Sequence, residues 1–527
     1  MIFKKFLRED SGAIMPIFAV SLVPVIALIG ASVDLAGATR AHNKLQVAVD
    51  STALSVNHEL HLSSVQTNIQ TKAGAYFAVQ AQGLENPELK PVSFSVADGR
   101  VDIVASAKYT PQLMRAVGFG PYTISAKARS VVGDQSIEVA LVLDNSGSME
   151  GTRLSNLKTA AKSLTNILFD SVNASTRIKI SVVPFSGAVN VGATNASADW
   201  MDKNAQSPVH SENFVSAKNR FTLLTEMNTA WAGCVEARPD DTVNDVHHMT
   251  TDTVPTTLDP ISLFVPMFAP DESDEPSLAS NKKTFVNNYL SDDGSGNNCT
   301  NSDKSDTSNA GRQKRICKYK GRTPDTSAYG STNKGPNFWC NSKPIVPLTN
   351  TKQTVIDSIN AMAAKGYTNI HEGLMWGWRA LSPTAPFTEG AAYDTPNLRK
   401  YIILMTDGAN TINDRSTINK SDYSAYGYAS KNRLDEDADD MDGGELKSAM
   451  DDRLEEACEN AKNDDPHRPE KITIFTVAFH VTDEPTLTRL RECASGSNNA
   501  KVATSGTQLD DTFKAIAKDL GKLRLTQ

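Results

Sequence analysis

Ile137-Glu138-Val139-Ala140-Leu141-Val142-Leu143 leads directly into Asp144-Asn145-Ser146-Gly147-Ser148, and much later Tyr401-Ile402-Ile403-Leu404-Met405 leads into Thr406-Asp407-Gly408. Each is a short, nearly continuous apolar run closed by a turn signal, the pattern of a strand buried on both faces. Both runs end in an acidic loop. Carboxylates and hydroxyls gathered without His or Cys make an all-oxygen site, which suits Mg²⁺, Mn²⁺ or Ca²⁺ and not zinc.

Around these two strands the pattern alternates. A helix carrying Leu154, Leu157, Ala161, Leu164 and Leu168 on one face follows the first acidic loop, and Ile178, Ile180 and Val182 form the next strand. Helices are expected near Thr351–Ala364, Ile370–Leu381, Leu446–Lys462 and Leu509–Leu520, with strands at Lys400–Thr406 and Ile472–Phe479. Such alternation predicts an α/β, doubly wound, mostly parallel sheet, in which ligands collect beyond the carboxyl ends of the strands. Asp144 and Asp407 both fall on that edge.

Asp144-x-Ser146-x-Ser148, a Gly366-Tyr367-Thr368-Asn369 loop and Thr406-Asp407-Gly408, in that order, resemble the metal-ion-dependent adhesion site of von Willebrand factor A domains. The resemblance implies that Ser146, Ser148 and Thr368 offer hydroxyl oxygens to a divalent cation, Mg²⁺ ahead of Mn²⁺ or Ca²⁺. Asp144 and Asp407 hold it directly or through water. Asn369 and His371 are the neighbours that compete with Thr368 for its place. With three neutral ligands the ion keeps positive charge and an open position, so it attracts a carboxylate from a partner protein.

One long segment departs from a compact domain of this kind. Ser186 to Pro344 is rich in Asp, Asn, Ser, Thr and Lys, holds four of the six cysteines and is apolar mainly at Ile261–Phe268. It reads as a loop-dominated lobe stapled by disulfides, with the polar run Ser291–Arg312 partly disordered. Cys458 and Cys493 flank the strand Ile472–Phe479 and can form a local bridge. No C-x-x-C pair occurs, which argues against sulfur-bound zinc. Asp435–Asp442 lacks the Gly and closing Glu of an EF-hand loop and reads as a solvated acidic loop, and His247-His248 as surface loop.

Ala13 to Val33 contains no charged residue and is long enough to span a bilayer, which takes about 20 apolar residues. Lys4, Lys5 and Arg8 precede it, so the positive-inside rule keeps the first dozen residues cytoplasmic and sends the rest outward. A cleavable signal peptide ending near Ala36-Gly37-Ala38 is the competing reading, but helical periodicity continues through Leu45, Ala48, Val49, Thr52, Ala53 and Val56. Pro16 and Pro24 predict a kink, and Ala27 with Ala31 forms a small-residue face. Beyond the stem, Val92–Val96 and Val101–Ala105 around Asp98-Gly99 predict a hairpin, with a third strand at Tyr122 to Val131.

The chain has 527 residues and a formal net charge of −8, with no basic stripe interleaved with aromatics, so nucleic acid is not an expected partner. No Ser/His/Asp order, phosphate-binding glycine loop or acid–base carboxylate pair occurs, so no enzymatic activity and no small-molecule substrate is expected. The opening Ser11-Gly12-Ala13-Ile14-Met15-Pro16-Ile17-Phe18-Ala19, the stem Leu45–Leu54 and the insert Trp231-Ala232-Gly233-Cys234-Val235 are similar to TadG-like proteins of Flp (tight-adherence) pilus assembly. Gly12 is followed by Ala-Ile-Met-Pro and not by the early Glu of related pseudopilins, which favours an uncleaved anchor. The resemblance implies a bacterial inner-membrane protein, single-pass and largely periplasmic, whose partners are pilus assembly proteins or pilin subunits. A cell-surface adhesin or minor pilus component is the alternative. The expected division is a cytoplasmic tail at 1–12, a transmembrane helix at 13–33, a pilin-like α+β stem module at 34–133, and an A domain at 134–527 with its insertion at 186–344.

Overall fold

In a computed structural model of the chain, the described residues are 14–62, 69–95, 100–131, 136–170, 177–274, 285–293, 298–330, 332–462 and 472–522. Residues 1–12, expected to be a cytoplasmic tail, and Asp98-Gly99, expected to be a turn, lie outside them. The chain divides into two compact units, Met1–Asp134 with Asp170–Asn173 and Gly521–Gln527, and Gln135–Phe169 with Ala174–Leu520.

The first unit is built on one helix, α1 (Ile14–Leu62), with Pro24 inside it. The helix from Phe18 onward is long and apolar enough to cross a membrane by length and composition. Its second half buries Leu45, Ala48, Val49, Ala53 and Val56, the i, i+3, i+4 stripe seen in the sequence, against Phe77 of α2 (Ile69–Gln80) and a small sheet. The sheet contains β1 (Glu85–Leu89), β2 (Ser93–Ser95), β3 (Arg100–Tyr109) and β4 (Tyr122–Val131). β4 pairs along the whole of β3, while β1 and β2 pair with its two halves. β1 was not expected, because Glu-Asn-Pro-Glu-Leu has no alternation and its residues are mostly exposed.

The second unit is a six-stranded sheet, formed by β5 (Ser136–Asp144), β6 (Ile178–Phe185), β9 (Val346–Thr349), β10 (Leu398–Thr406), β11 (Ile472–Phe479) and β12 (Ala500–Ala503). The spatial order is β12-β11-β10-β5-β6-β9. Every pairing is parallel except β6 with β9, so the sheet is mixed at one edge. Alternate residues of β5 and β10 feed two separate cores: Ala140, Val142, Ile402 and Leu404 on one face, Val139, Leu141, Ile403 and Met405 on the other. The second face is covered by α3 (Thr152–Phe169), α6 (Lys352–Ala361) and α10 (Gly506–Lys522). The first is covered by α7 (Ile370–Leu381), α8 (Gly443–Lys462) and α9 (Glu484–Cys493). Glu138, the one charge inside the β5 run, is buried and meets Lys400 at 2.5 Å from the opposing position of β10.

Among its described residues the insertion between β6 and β9 holds little regular structure: the short α-helices α4 (Arg220–Glu226) and α5 (Asn309–Lys314), a few single 3-10 turns, and the two-residue strands β7 (Ala328–Tyr329) and β8 (Thr332–Asn333). It is nonetheless well packed, with Phe264, Phe268, Tyr319 and Phe338 buried. Cys234 pairs with Cys340 and Cys299 with Cys317, while Cys458 pairs with Cys493 as the sequence suggested. The run Ser291–Arg312, expected to be partly disordered, contains a built segment. Ser308 caps α5, Arg315 ties back to Asp293 and to the Asp306 carbonyl, and the 299–317 bridge closes the loop.

Candidate functional site

The register of the central pair sets the site. Met405 lies opposite Leu143 in parallel β10 and β5, so Asp144 and Thr406 are level and Asp407 is one residue beyond, all at the carboxyl edge. Asp144 is fully buried: one carboxylate oxygen accepts from the Ser146 amide at 2.7 Å and the other from the Thr406 hydroxyl at 2.7 Å. From there oxygens follow in a chain. Ser146 Oγ lies 3.0 Å from Ser148 Oγ, and Ser148 donates to Asp407 Oδ1 at 2.6 Å.

The third loop is stitched to the first by backbone. Gly147 N–H donates to the Gly366 carbonyl at 2.9 Å, and Lys365 N–H to the Asn145 carbonyl at 2.8 Å. Gly366 has a φ of +92°, so this crossing suits glycine there, whereas a Cβ at Gly147 would only touch that carbonyl at 3.4 Å. Thr368, buried in the same loop, donates its amide to the Thr411 hydroxyl at 2.8 Å and accepts at its carbonyl from the Thr411 amide at 2.9 Å; Thr411 follows Asp407 by four residues. Its two competitors are otherwise engaged. Asn369 caps α7 by accepting from the Glu372 amide, and buried His371 contacts the Tyr426 hydroxyl and the Met249 carbonyl.

The five residues singled out in the sequence therefore lie on three loops of one sheet edge. Two carboxylates close together and partly dry are electrostatically unfavourable. Burial first, and the Asp407 charge second, push the Asp144 carboxyl up to about 6. Arg153, in the first turn of α3, offsets part of this charge with an ion pair to Asp407 Oδ2 at 2.6 Å. Arg153 carries no sequence signal, since a basic residue at a helix start is common, and Thr406 stands in the third motif without a role of its own there; its hydroxyl bond to Asp144 is visible only in the structure. Asn145, between the two acidic-loop residues, keeps both side-chain polar atoms buried without a hydrogen-bond partner. An acidic pair, neighbouring hydroxyls and an unsatisfied amide form a donor set that fits a hard cation. Among the described residues no group of three or more His, Cys, Asp or Glu side chains that could hold a metal ion occurs, at this edge or elsewhere; the set here has two carboxylates, and the rest is hydroxyl and amide.

The remaining sequence candidates have structural roles. His247 is exposed, but His248 is buried, contrary to the surface-loop expectation, and its Nδ1 lies 2.7 Å from the Thr253 hydroxyl. Asp442 caps the start of α8 through the amides of Gly444 and Glu445. Asp435 and Glu436 line a cleft of about 480 Å³ together with Asp240, Asp241, Arg433 and Arg453, where Arg453 pairs with Asp240 at 3.1 Å.

Residues 12–58 match a family model described as "Putative Flp pilus-assembly TadE/G-like". No curated protein matches the sequence. Among solved structures, the chain is similar to the pilus adhesin SpaC of Lactobacillus rhamnosus GG, with a TM-score of 0.31 and 10% identity over 84% of this chain and 34% of that one. It is also similar to the vWF domain of the type V pili tip protein Mfa5 of Porphyromonas gingivalis, at 0.32 and 10% identity over 75% and 97%. The PilB minor pilin of Streptococcus sanguinis gives 0.29 and 13% identity over 83% and 78%. The chain thus spans about a third of the length of SpaC. Likenesses of this size decide neither fold nor function.

Proposed function

We propose that the chain is a membrane-anchored, non-enzymatic periplasmic protein of Flp/Tad pilus assembly or anchoring, which grips a partner protein through a metal-ion-dependent adhesion site. The single observation that carries the binding role is the convergence of Asp144, Ser146, Ser148 and Asp407 in one chain of oxygens at a buried strand edge. The match of residues 12–58 to the pilus-assembly family supports the setting, and the long apolar start of α1 supports the anchor. On this reading residues 13–33 span the inner membrane after a cytoplasmic tail at 1–12, residues 34–133 form the stem module, and residues 134–527 form a von Willebrand factor A-like domain whose insertion is 186–344.

One divalent cation, Mg²⁺ ahead of Mn²⁺ or Ca²⁺, would be held by Asp144, Ser146, Ser148, Thr368 and Asp407. Such an ion supplies a positive centre for an acidic group on the partner, a pilus assembly protein or pilin subunit. The protein's own residues do the rest. The Thr406 hydroxyl and Ser146 amide hold the Asp144 carboxylate in position, and the Gly147–Gly366 contact keeps the Thr368 loop beside it. Pulldown from membranes with and without EDTA, beside Asp407→Ala, tests the reading. Both treatments should lose the same partner, and an unchanged partner set would remove the role of the ion.

A further inference from the structure

The loop between β3 and β4, with the first residue of β4, holds four large apolar side chains in water-facing positions: Leu113 is 49% exposed, Val117 61%, Phe119 60% and Tyr122 46%. These are not the side chains of a loose loop. Asp34 of α1, itself buried, accepts from the backbone amides of Gln112, Leu113 and Met114 at 2.6–3.2 Å, and the Tyr109 hydroxyl donates to the Asp34 carbonyl at 2.9 Å. A Cβ on Gly30 would come to 3.3 Å from Leu113, and one on Gly37 would collide with the Tyr109 hydroxyl. The turn Met114–Val117 is closed by Gly118 at a φ of +94° and by the Phe119 amide on the Met114 carbonyl, which leaves Phe119 pointing away from the core.

The height of this loop on α1 is what gives it meaning. At 1.5 Å per residue, Gly30 and Asp34 lie about 24 Å and 30 Å beyond Ile14 along the helix. A bilayer's hydrocarbon is about 30 Å thick. The loop is therefore fastened where an apolar helix starting near Ile14 leaves the hydrocarbon. Below it the helix shows a charge-free, mostly apolar flank, including Phe18, Leu22, Ile26 and Ile29, in which the Ser21 hydroxyl turns back onto the Phe18 carbonyl. Tyr122 stacks edge-on against Tyr109 at 5.6 Å, and tyrosine suits the boundary between headgroups and acyl chains.

We propose that the 111–122 loop is a membrane-interface foot: Leu113, Val117, Phe119 and Tyr122 enter the outer surface of the same bilayer that α1 crosses. The occupant is lipid because the patch continues the apolar flank of the span at the depth where that span ends. The Asp34 clamp sets the loop's height, so the foot would fix the tilt and rotation of the stem on the membrane. This inference rests on the membrane-anchor reading above.

All six cysteines are disulfide-bonded, so an introduced cysteine is a unique labelling site. The full chain would be reconstituted in vesicles of phosphatidylethanolamine and phosphatidylglycerol as Phe119→Cys, Leu22→Cys or Val79→Cys, each labelled with an environment-sensitive fluorophore. Val79 is exposed on α2, away from the loop. The expected result is a blue shift at position 119 with quenching by lipids carrying a shallow nitroxide. Position 22 should be quenched by a deep nitroxide, and position 79 by neither. Deep quenching at 22 with a water-like spectrum at 119 overturns the foot and leaves the anchor standing. A water-like spectrum at both overturns the two together. A shift at 119 that disappears on dilution into excess lipid would assign the patch to a second protein and overturn the lipid proposal.

Discussion

Asp407 shows most directly what a single residue does here, because Ser148 takes one of its oxygens and Arg153 the other. The guanidinium is a cation already in contact with a carboxylate that the proposed ion needs, and the two positive charges repel. Arg153 is partly exposed, with its side chain 39% accessible, so solvent screens the pair and its worth falls within the 0–1 kcal/mol range of surface pairs. Arg153→Ala should therefore tighten Mg²⁺ by about two- to fivefold in calorimetric titration. Weaker Mg²⁺ in this variant would make Arg153 a support of the site. A separate titration belongs to Glu272 in the insertion, which accepts from the Asn287 amide and from Asn419. Burial, reinforced by the Asp422 charge, raises this carboxyl from 4.5 to about 7. A folded-state value above the unfolded one means that the fold binds the extra proton, so stability is lost as pH rises from about 4.5 through about 7, by on the order of 3 kcal/mol. Urea unfolding across that range should show the loss in the wild type and a flatter profile in Glu272→Gln.

At the scale of elements, helix α7 has the most demanding fit. It begins at the Asn369 cap beside Thr368, and its packing against β5 and β6 depends on two glycines one turn apart. A Cβ on Gly377 would overlap the Val142 side chain, and one on Gly373 would come to 2.7 Å from the Phe185 ring. Gly377→Ala should cost about 1–3 kcal/mol by denaturant unfolding, as overpacking does, and should move the Thr368 loop with the helix. An unchanged midpoint would show that the interface has slack. Much at this scale was legible. The 3.6-residue stripes of α3 and α10 and the apolar runs of β5, β10 and β11 each carry a strong local signal. The edge strands β9 and β12 were not legible, since four residues are too few to hold a period. Neither was the packing of the insertion, where Phe214 and Tyr319, far apart in polar sequence, pack on each other and on Phe268, while Phe338 joins a separate cluster.

The whole molecule, on the proposed reading, is a tethered binding domain, and the tether makes its own prediction. An assembly anchor should stay with the inner membrane when cells are sheared, whereas a surface adhesin or minor pilus component should be released with the filaments. Immunoblotting of the sheared fraction decides between them. What the sequence by itself determined is what short-range chemistry encodes. A charge-free stretch at Ala13–Val33 can only be comfortable in an apolar setting, and a strand-like run ending in an acid places that acid at a strand end. Tertiary structure alone decided which ends meet. The parallel register of β5 with β10 makes Asp144 level with Thr406, and the Gly147–Gly366 contact brings in a loop more than 200 residues away. Such pairings are fixed by the burial of whole faces against helices, an energy that belongs to no local window of sequence. The same holds for the two disulfide pairings of the insertion and for the clamp of Asp34 on the 111–122 loop, each a meeting of residues that nothing in their immediate neighbours announces.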